Sequence, residues 1–374
     1  MIFINSHIQY YSNGKPGHGT GEIIAALLTE NSKKFIFIKH PLFFGFNTRI
    51  ETFTSGTTRV INVGVKRLPL PLRVIQEFII TAWLVVVNRP GRVYVGIDPL
   101  NASYGIILKY MNLLETVIYY TADYAEKRFQ NGIVNRIYHA IDRFCLRHAD
   151  QIWNVSTRIT DLRLRQKVGR KKNRFLPNIP YIKSILVKGN KVRKTQIVSV
   201  STLSTEYIDF ELIFNAIRLA KKLIPALKLI VIGSGKDEML LQRMAKDMGL
   251  EKNVVFTGGM DHDKLLEIVS RSLCGLAVYK KTNPWTWYGD SMKTREYLAC
   301  GIPVLITDTC STADEIRNMG YVIKSDATDI SYKILKLYKN PALLQRVKRN
   351  ALKYSEYPEA IKLLSESVIR FADN

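Results

Sequence analysis

Short apolar runs rich in Val, Ile and Phe alternate with longer helical patterns along most of the chain, and the rhythm runs twice. Residues 1–6 predict a buried strand, followed by the glycine-rich Asn13-Gly-Lys-Pro-Gly-His-Gly-Thr-Gly21 and the helical Glu22-Ile-Ile-Ala-Ala-Leu-Leu28. Strand, glycine loop and helix open a βαβ unit, and repeated βαβ units fold into mostly parallel sheets with helices on both faces. Further strands are predicted at Phe35–Ile38, Arg59–Val65, Arg92–Asp98, Thr116–Tyr124 and Ala149–Ser156, with helices over residues 74–87, 102–113 and 131–147. A basic stretch from Arg158 to Arg174 predicts the last helix and linker of a first domain, and Leu176-Pro-Asn-Ile-Pro180 closes it. The rhythm then restarts with strands at Gln196–Val200, Leu227–Gly235, Val254–Phe256 and Gly275–Tyr279, separated by helices near residues 210–222 and 237–248. A length of 374 residues agrees with two cores rather than one. The predicted division is 1–178, 179–345 and a helical tail, 346–374, that packs back on the first domain.

One stretch carries more chemistry than the rest: Tyr288-Gly-Asp-Ser-Met-Lys-Thr-Arg-Glu-Tyr-Leu-Ala-Cys-Gly-Ile-Pro-Val-Leu305. Gly289, Asp290 and Ser291 are turn and cap types, so a helix starts near Ser291 with its unpaired amides and positive dipole end outward. Lys293 and Glu296 lie three apart and share a face, while Met292, Tyr297 and Leu298 form the packed side. Cys300-Gly-Ile-Pro303 stops the helix, and Val304–Ile306 is the next strand. A lysine suits a phosphate, and a glutamate can accept two hydrogen bonds from a ribose diol. An ordinary αβ unit with a solvated Lys/Glu pair fits the same pattern.

The net charge of +23 is the compositional outlier and calls for an acidic partner. Residues 1–180 hold 25 Lys and Arg against 11 Asp and Glu, so most of the excess lies in the first half. Cys145, Cys274, Cys300 and Cys310 show no metal or disulfide spacing, which fits a reducing cytoplasm. No signal peptide is read at Met1. The apolar Val74–Val87 run, with Trp83 and basic flanks at Lys66, Arg67, Arg73, Arg89 and Arg92, is short for a bilayer span and fits either an interfacial helix or a buried one.

Leu229-Ile-Val-Ile-Gly-Ser-Gly235, Asn253-Val-Val-Phe-Thr-Gly258 and Lys293-x-x-Glu296-Tyr-x-Ala-x-Gly301-x-Pro303-Val resemble, in order and spacing, the C-terminal half of GT-B glycosyltransferases of the glycogen-synthase-like "glycosyl transferases group 1" type. The resemblance implies two Rossmann-like, doubly wound α/β domains facing a cleft. Leu176-Pro-Asn178 falls where the family has its interdomain segment. By the same resemblance Glu296 accepts ribose hydroxyls, Lys293 binds the donor diphosphate, and Gly233, Ser234 and Gly235 lie near the base. Ser291, Met292, Ser201 and Tyr279 complete the donor side. Two departures stand out. Tyr288 occupies the position of a family carboxylate, and Ser201, Thr202 and Tyr207 stand where relatives carry an Arg and a Lys.

Asp290-Ser-Met-Lys293, Ser201 with Tyr207-Ile-Asp209, and Thr121-Ala-Asp123 also resemble the membrane-associated glucuronosyltransferase of xanthan assembly. That likeness implies inversion, with Asp123 as the base on the acceptor hydroxyl. Asp98 ends a neighbouring strand, and Gly17, His18 and Gly19 form an acceptor-side loop. The expected protein is therefore a hexosyl- or glycuronosyltransferase using a UDP- or GDP-sugar, with no metal and no other cofactor. Its expected acceptor is lipid-linked or a polysaccharide, at an anionic membrane surface on the cytoplasmic side. A retaining enzyme of the same fold is the alternative. A basic nucleic-acid-binding protein is the alternative from another class, but no aromatics interleave the Arg158–Arg174 run and no nucleic acid is expected. A non-catalytic sugar-binding relative is a third.

Overall fold

The computed structural model describes residues 1–8, 11–12, 15–16, 20–42, 47–64, 68–180, 192–282, 284–316 and 318–369. The chain divides into two units, Met1–Pro177 with Pro358–Asn374, and Asn178–Tyr357.

The first unit is built from β1 (Ile2–Ile8), α1 (Thr20–Glu30), β2 (Phe35–Pro41), β3 (Thr48–Thr54), β4 (Thr57–Val63), α2 (Leu70–Val87), β5 (Gly91–Ile97), α3 (Pro99–Tyr110), β6 (Leu114–Thr121), α4 (Gly132–His148), β7 (Gln151–Asn154), α5 (Thr157–Arg165) and β8 (Asn173–Phe175). Among the described residues its sheet has eight strands in the order β8-β7-β6-β5-β1-β2-β3-β4. All pairings are parallel except β2–β3 and β3–β4. Central strands are buried on both faces, which is why they read as continuous apolar runs. Phe3, Tyr94, Val117, Tyr119 and Ile152 form their core.

Two features differ from the sequence expectation. The Thr48–Thr54 strand was not expected. Its Thr-Arg-Ile-Glu-Thr-Phe-Thr sequence mixes polar and apolar residues, as suits an antiparallel strand with one open face. The basic stretch is helical only to Arg165, after which Asn173–Phe175 joins the sheet beside β7.

Charged residues of that stretch are partly structural. Arg163 is fully buried and grips Asp142 of α4 with two parallel bonds, Nη1 to Oδ2 and Nη2 to Oδ1, each 2.7 Å. Tyr119 donates to the same carboxylate at 2.6 Å.

The second unit comprises β9 (Gln196–Val200), α6 (Phe210–Ala220), β10 (Lys228–Ile232), α7 (Glu238–Asp247), β11 (Val254–Phe256), α8 (His262–Ser270), β12 (Gly275–Ala277), α9 (Met292–Ala299), β13 (Val304–Thr307), β14 (Gly320–Ile323), α10 (Ala327–Lys339) and α11 (Pro341–Tyr354). Its sheet is parallel throughout, in the order β11-β10-β9-β12-β13-β14. From Pro358 the chain belongs to the first unit again, where α12 (Pro358–Leu364) leads to Ser367, whose hydroxyl donates to Gln151 at 3.0 Å.

Strand order reverses between β1 and β5 in the first unit and between β9 and β12 in the second. Connections leave these strand pairs in opposite directions, which opens a crevice at their carboxyl ends where α/β proteins bind ligands. His7 and Asp98 mark that point in the first unit; Ser201 and Tyr279 mark it in the second.

The Arg163–Asp142 pair yields a direct test. Arg163→Ala leaves a buried carboxylate without its cation and should cost about 3–5 kcal/mol of unfolding free energy in urea titration.

Candidate functional site

The donor-side residues gather around the start of α9. Ser291 caps it as expected: its Oγ accepts from the Thr294 amide at 3.2 Å. The same hydroxyl meets Tyr279 Oη at 2.6 Å, so these two predicted site residues hold each other. Asp290 lies under the cap. Its carboxylate accepts from the Asn178 amide at 2.8 Å, Thr312 Oγ1 at 2.8 Å and Arg295 Nη2 at 2.8 Å. Arg295 is itself fully buried and pairs on its other side with Glu315 at 2.8 Å, while Tyr354 bridges the two. Burial works against the Arg295 charge, and Asp290 and Glu315 more than offset it, so the guanidinium is held well above its ordinary value. Asp290 is thus a brace for the helix N-terminus.

Lys293 and Glu296 follow on α9. Lys293 is half-buried and makes no ion pair among the described residues. Burial lowers its ammonium from the ordinary value, with Glu296 pushing back. Glu296 Oε1 accepts from Nε2 of His262, the first residue of α8, at 2.9 Å. His262 escaped the sequence reading because nothing in Asp261-His-Asp-Lys marks a partner 34 positions away. Met292 is half-buried at the first position of α9.

Gly233 and Gly235 have a backbone role. Gly233 sits at φ +137°, and a Cβ there would fall 1.9 Å from the Ser201 carbonyl; at Gly235 it would fall 2.3 Å from the Leu203 carbonyl. Only glycines let this loop lie against the segment that follows β9. Ser234, between them, is exposed, and its carbonyl accepts from the Leu203 amide at 3.0 Å. Ser201 is buried, and its hydroxyl has no partner among the described residues. Tyr288, at the position of the relatives' carboxylate, is buried at 7% exposure.

The acceptor-side residues belong to the first unit. Asp98 follows β5 directly, and Asp123 follows β6 in an ion pair with Arg128. His7, which was not singled out in the sequence, ends β1. Its Nε2 donates to Glu77 at 3.0 Å, and its Nδ1 accepts from Asn101 at 2.9 Å. Beyond Asp123, a cavity of about 430 Å³ is lined by Tyr124, Asn135, Arg136, His139 and Arg143. Asn135 and His139 reach back from α4 to the 126–129 backbone and pin the loop that carries Arg128. Gly17, His18 and Gly19 lie outside the described residues.

The Glu296 contact raises the His262 pKa above its ordinary value through the shared hydrogen bond, against burial. A raised imidazole stabilises the fold below its unfolded pKa of about 6.5, and that contribution fades as pH rises through the folded value. An NMR titration should place His262 above the ordinary imidazole value, and Glu296→Gln should return it toward that value; no change in the variant would dismiss the coupling.

Residues 183–354 match the family model described as "Glycosyl transferases group 1". No curated protein matches the chain. Among solved structures, HepE of Anabaena, determined in complex with UDP, superposes with a TM-score of 0.69 at 12% identity, over 99% of this chain and 98% of that one. WaaG, described as a glycosyltransferase involved in lipopolysaccharide biosynthesis, does so with a TM-score of 0.61 at 16% identity, over 98% and 100%. TarM of S. aureus, in a complex that includes UDP, gives 0.57 at 14% identity over 88% of this chain. The chain spans 62% of that TarM chain's length. At these identities the superpositions establish the architecture, GT-B with two Rossmann-like units, and the family model establishes the second unit. The protein is a glycosyltransferase of GT-B fold whose second unit is a glycosyl transferases group 1 domain.

Proposed function

We propose that the protein moves a glycosyl group from a UDP- or GDP-sugar to a hydroxyl of a lipid-linked or polysaccharide acceptor, inverting the anomeric centre without a metal ion. The observation that carries the donor half is Lys293, an ammonium withdrawn from water with no carboxylate bound, one turn before Glu296 at a capped helix N-terminus. A half-buried cation beside open helix amides favours an anion there. A diphosphate satisfies both. Glu296, oriented by His262, keeps its second oxygen for ribose hydroxyls.

In the reaction the acceptor oxygen bonds to the anomeric carbon as the bond from that carbon to the diphosphate breaks, its electron pair leaving with the phosphate. Negative charge grows on the diphosphate, where Lys293 and the α9 dipole stabilise it. The acceptor proton passes to a carboxylate of the first unit, Asp123, which lies where a parallel sheet presents its ligand-facing edge. Inversion is favoured over retention because the buried Tyr288 brings no carboxylate to the sugar. Arg136 and Arg143 of the adjoining cavity make no ion pair among the described residues, which suits an acceptor with an anionic group.

Helix α2 supports a peripheral position on the inner membrane face. It runs 18 residues with a mean hydropathy of 1.8, so in length and composition it reaches the lower limit for a membrane-crossing helix, which the sequence reading set beyond it. Its polarity is inverted. Arg73, Glu77 and Thr81 face the protein, and Leu72, Ile75, Ile79, Trp83, Val86 and Val87 face outward. An outward apolar stripe with a Trp, on the half that carries most of the positive charge, suits the interface of an anionic bilayer.

UDP or GDP should raise the melting temperature. Lys293→Ala should weaken binding roughly 10- to 100-fold, in line with about 1.5–3 kcal/mol for a charge-assisted bond, and Glu296→Ala should remove most of the shift. Absence of protection by any nucleoside diphosphate would sink the donor assignment. Separately, the wild type should float with vesicles of phosphatidylglycerol and phosphatidylethanolamine. The Ile79→Glu, Trp83→Glu double variant should stay in the soluble fraction while keeping nucleotide protection.

A further inference from the structure

At the switch point of the first unit, several titratable side chains meet, and all but one have their bonding settled. His7 uses both ring nitrogens, toward Glu77 and Asn101. Glu77 is bound by His7 and by Arg73 Nε at 2.9 Å, and these partners hold it at about 2 despite its burial. His40 is buried between Thr48 and Thr81, each 3.1 Å away, and burial keeps it neutral. Asp123 is committed to Arg128.

Asp98 is the exception. It holds the N-cap position of α3, yet its side chain makes no capping bond. Its φ is +71°, a region that costs a non-glycine residue about 1–3 kcal/mol. Its Oδ1 is buried and has no hydrogen-bond partner among the described residues. A strained backbone that points an unsatisfied carboxylate oxygen inward combines two costs with no structural return in the resting protein. Both are found beside the Asp123–Arg128 pair. Arg128 sits in the field of both carboxylates, which together raise it further despite its burial.

We propose that Asp98 is a positioning residue for the proton transfer: across Arg128 it balances the guanidinium charge, so that Asp123, the partner one-third exposed, stays basic enough to take the proton of the acceptor hydroxyl. This rests on the inverting reading given above. An Arg alone beside Asp123 would hold its proton affinity down and make it a poor base near neutral pH. A second carboxylate on the same guanidinium restores that affinity. In the balanced step the acceptor O–H proton goes to Asp123, the new carbon–oxygen bond forms, and the diphosphate departs with the electron pair. Asp98 exchanges no atoms with the substrate.

The electrostatics agree with the geometry. Burial first, and Asp123 second, push Asp98 up to about 7, against Arg128, His7 and the Ala122 amide. Tyr138 of α4 faces the same group and is raised in turn by burial, so it stays neutral. The charged and titratable groups around Asp98 are thus Asp123 and Arg128 from the loop after β6, His7 from β1 and Tyr138 from α4. A carboxyl raised in the folded state costs stability once pH exceeds its unfolded value near 4, and the cost grows until pH passes about 7.

The test uses the full chain and hydrolysis of whichever of UDP-glucose, UDP-glucuronate and GDP-mannose protects best, with water as acceptor. In Asp98→Asn the acid limb of kcat/KM should move down by about one pH unit, and the plateau should fall about tenfold or more, as a weaker base requires. Asp98→Glu should restore part of both. Nucleoside diphosphate protection should match wild type, and Asp98→Asn should melt higher than wild type at pH 8 but not at pH 4. An acid limb and plateau unchanged in Asp98→Asn, with protection intact, would overturn the Asp98 role alone. A wild type that no nucleoside diphosphate protects, or an Asp123→Asn variant that hydrolyses normally, would overturn the underlying reading together with it.

Discussion

The second unit depends on one buried cation. Arg295 is removed from water completely, and a guanidinium in that position is tolerable only with its charge and donors met. Asp290 and Glu315 meet them, Tyr354 closes the ring, and Thr312 and the Asn178 amide fill the remaining acceptor sites on Asp290. The result ties the turn before α9, the helix itself, the segment after β13 and the last turn of α11 into one rigid cluster. Lys293 and Glu296 sit on the helix that this cluster fixes, so the geometry of the donor side is inherited from a salt-bridge network that never meets a donor. A hydrophobic replacement of that network could hold the fold as well, but it would not hold the Ser291 cap and the Asp290 carboxylate in the same register.

A similar exchange of roles runs through the first unit. Helix α2 turns its polar residues inward because Glu77 is wanted by His7, and Thr81 by Asn5 and His40. A helix that spends its polar face on a buried network has only apolar residues left to show on the other side. The outward stripe of Ile75, Ile79 and Trp83 is therefore linked to the inward one, and the same 18 residues serve the interior of the sheet edge and the surface.

Much of this was legible in the sequence, for identifiable reasons. The βαβ rhythm was visible because strands buried on both faces must be continuously apolar, and the α9 cap was visible because Asp-Ser-Met followed by a helical pattern has few other readings. The inverted face of α2 was also written in the spacing of Arg73, Glu77 and Thr81, at i, i+4 and i+8, though only the fold says which side is inward. What stayed hidden was pairing across elements. The links of His262 to Glu296, Arg295 to Glu315 and His7 to Glu77 join residues 34, 20 and 70 positions apart, and no local pattern encodes such a distance. The glycines of Gly233-Ser-Gly235 were noticed for a ligand, whereas their crowding against the Ser201 and Leu203 carbonyls gives them a packing reason of their own.

The two switch points differ in charge in a way that net composition conceals. A chain of +23 puts at the carboxyl edge of its first sheet two aspartates, one of them strained and unsatisfied, and at the edge of its second a serine, a tyrosine and a lysine without a counter-ion. Stability alone would remove both arrangements: Asp98 would become an asparagine or serine that caps α3, and Lys293 a residue with no charge to bury. Each costs the resting protein something, and each is a half-finished interaction, a carboxylate lacking a donor and a cation lacking an anion. An acceptor hydroxyl and a leaving diphosphate complete them, so the groups that are worst satisfied in the free enzyme are the ones whose interactions strengthen as the sugar is transferred.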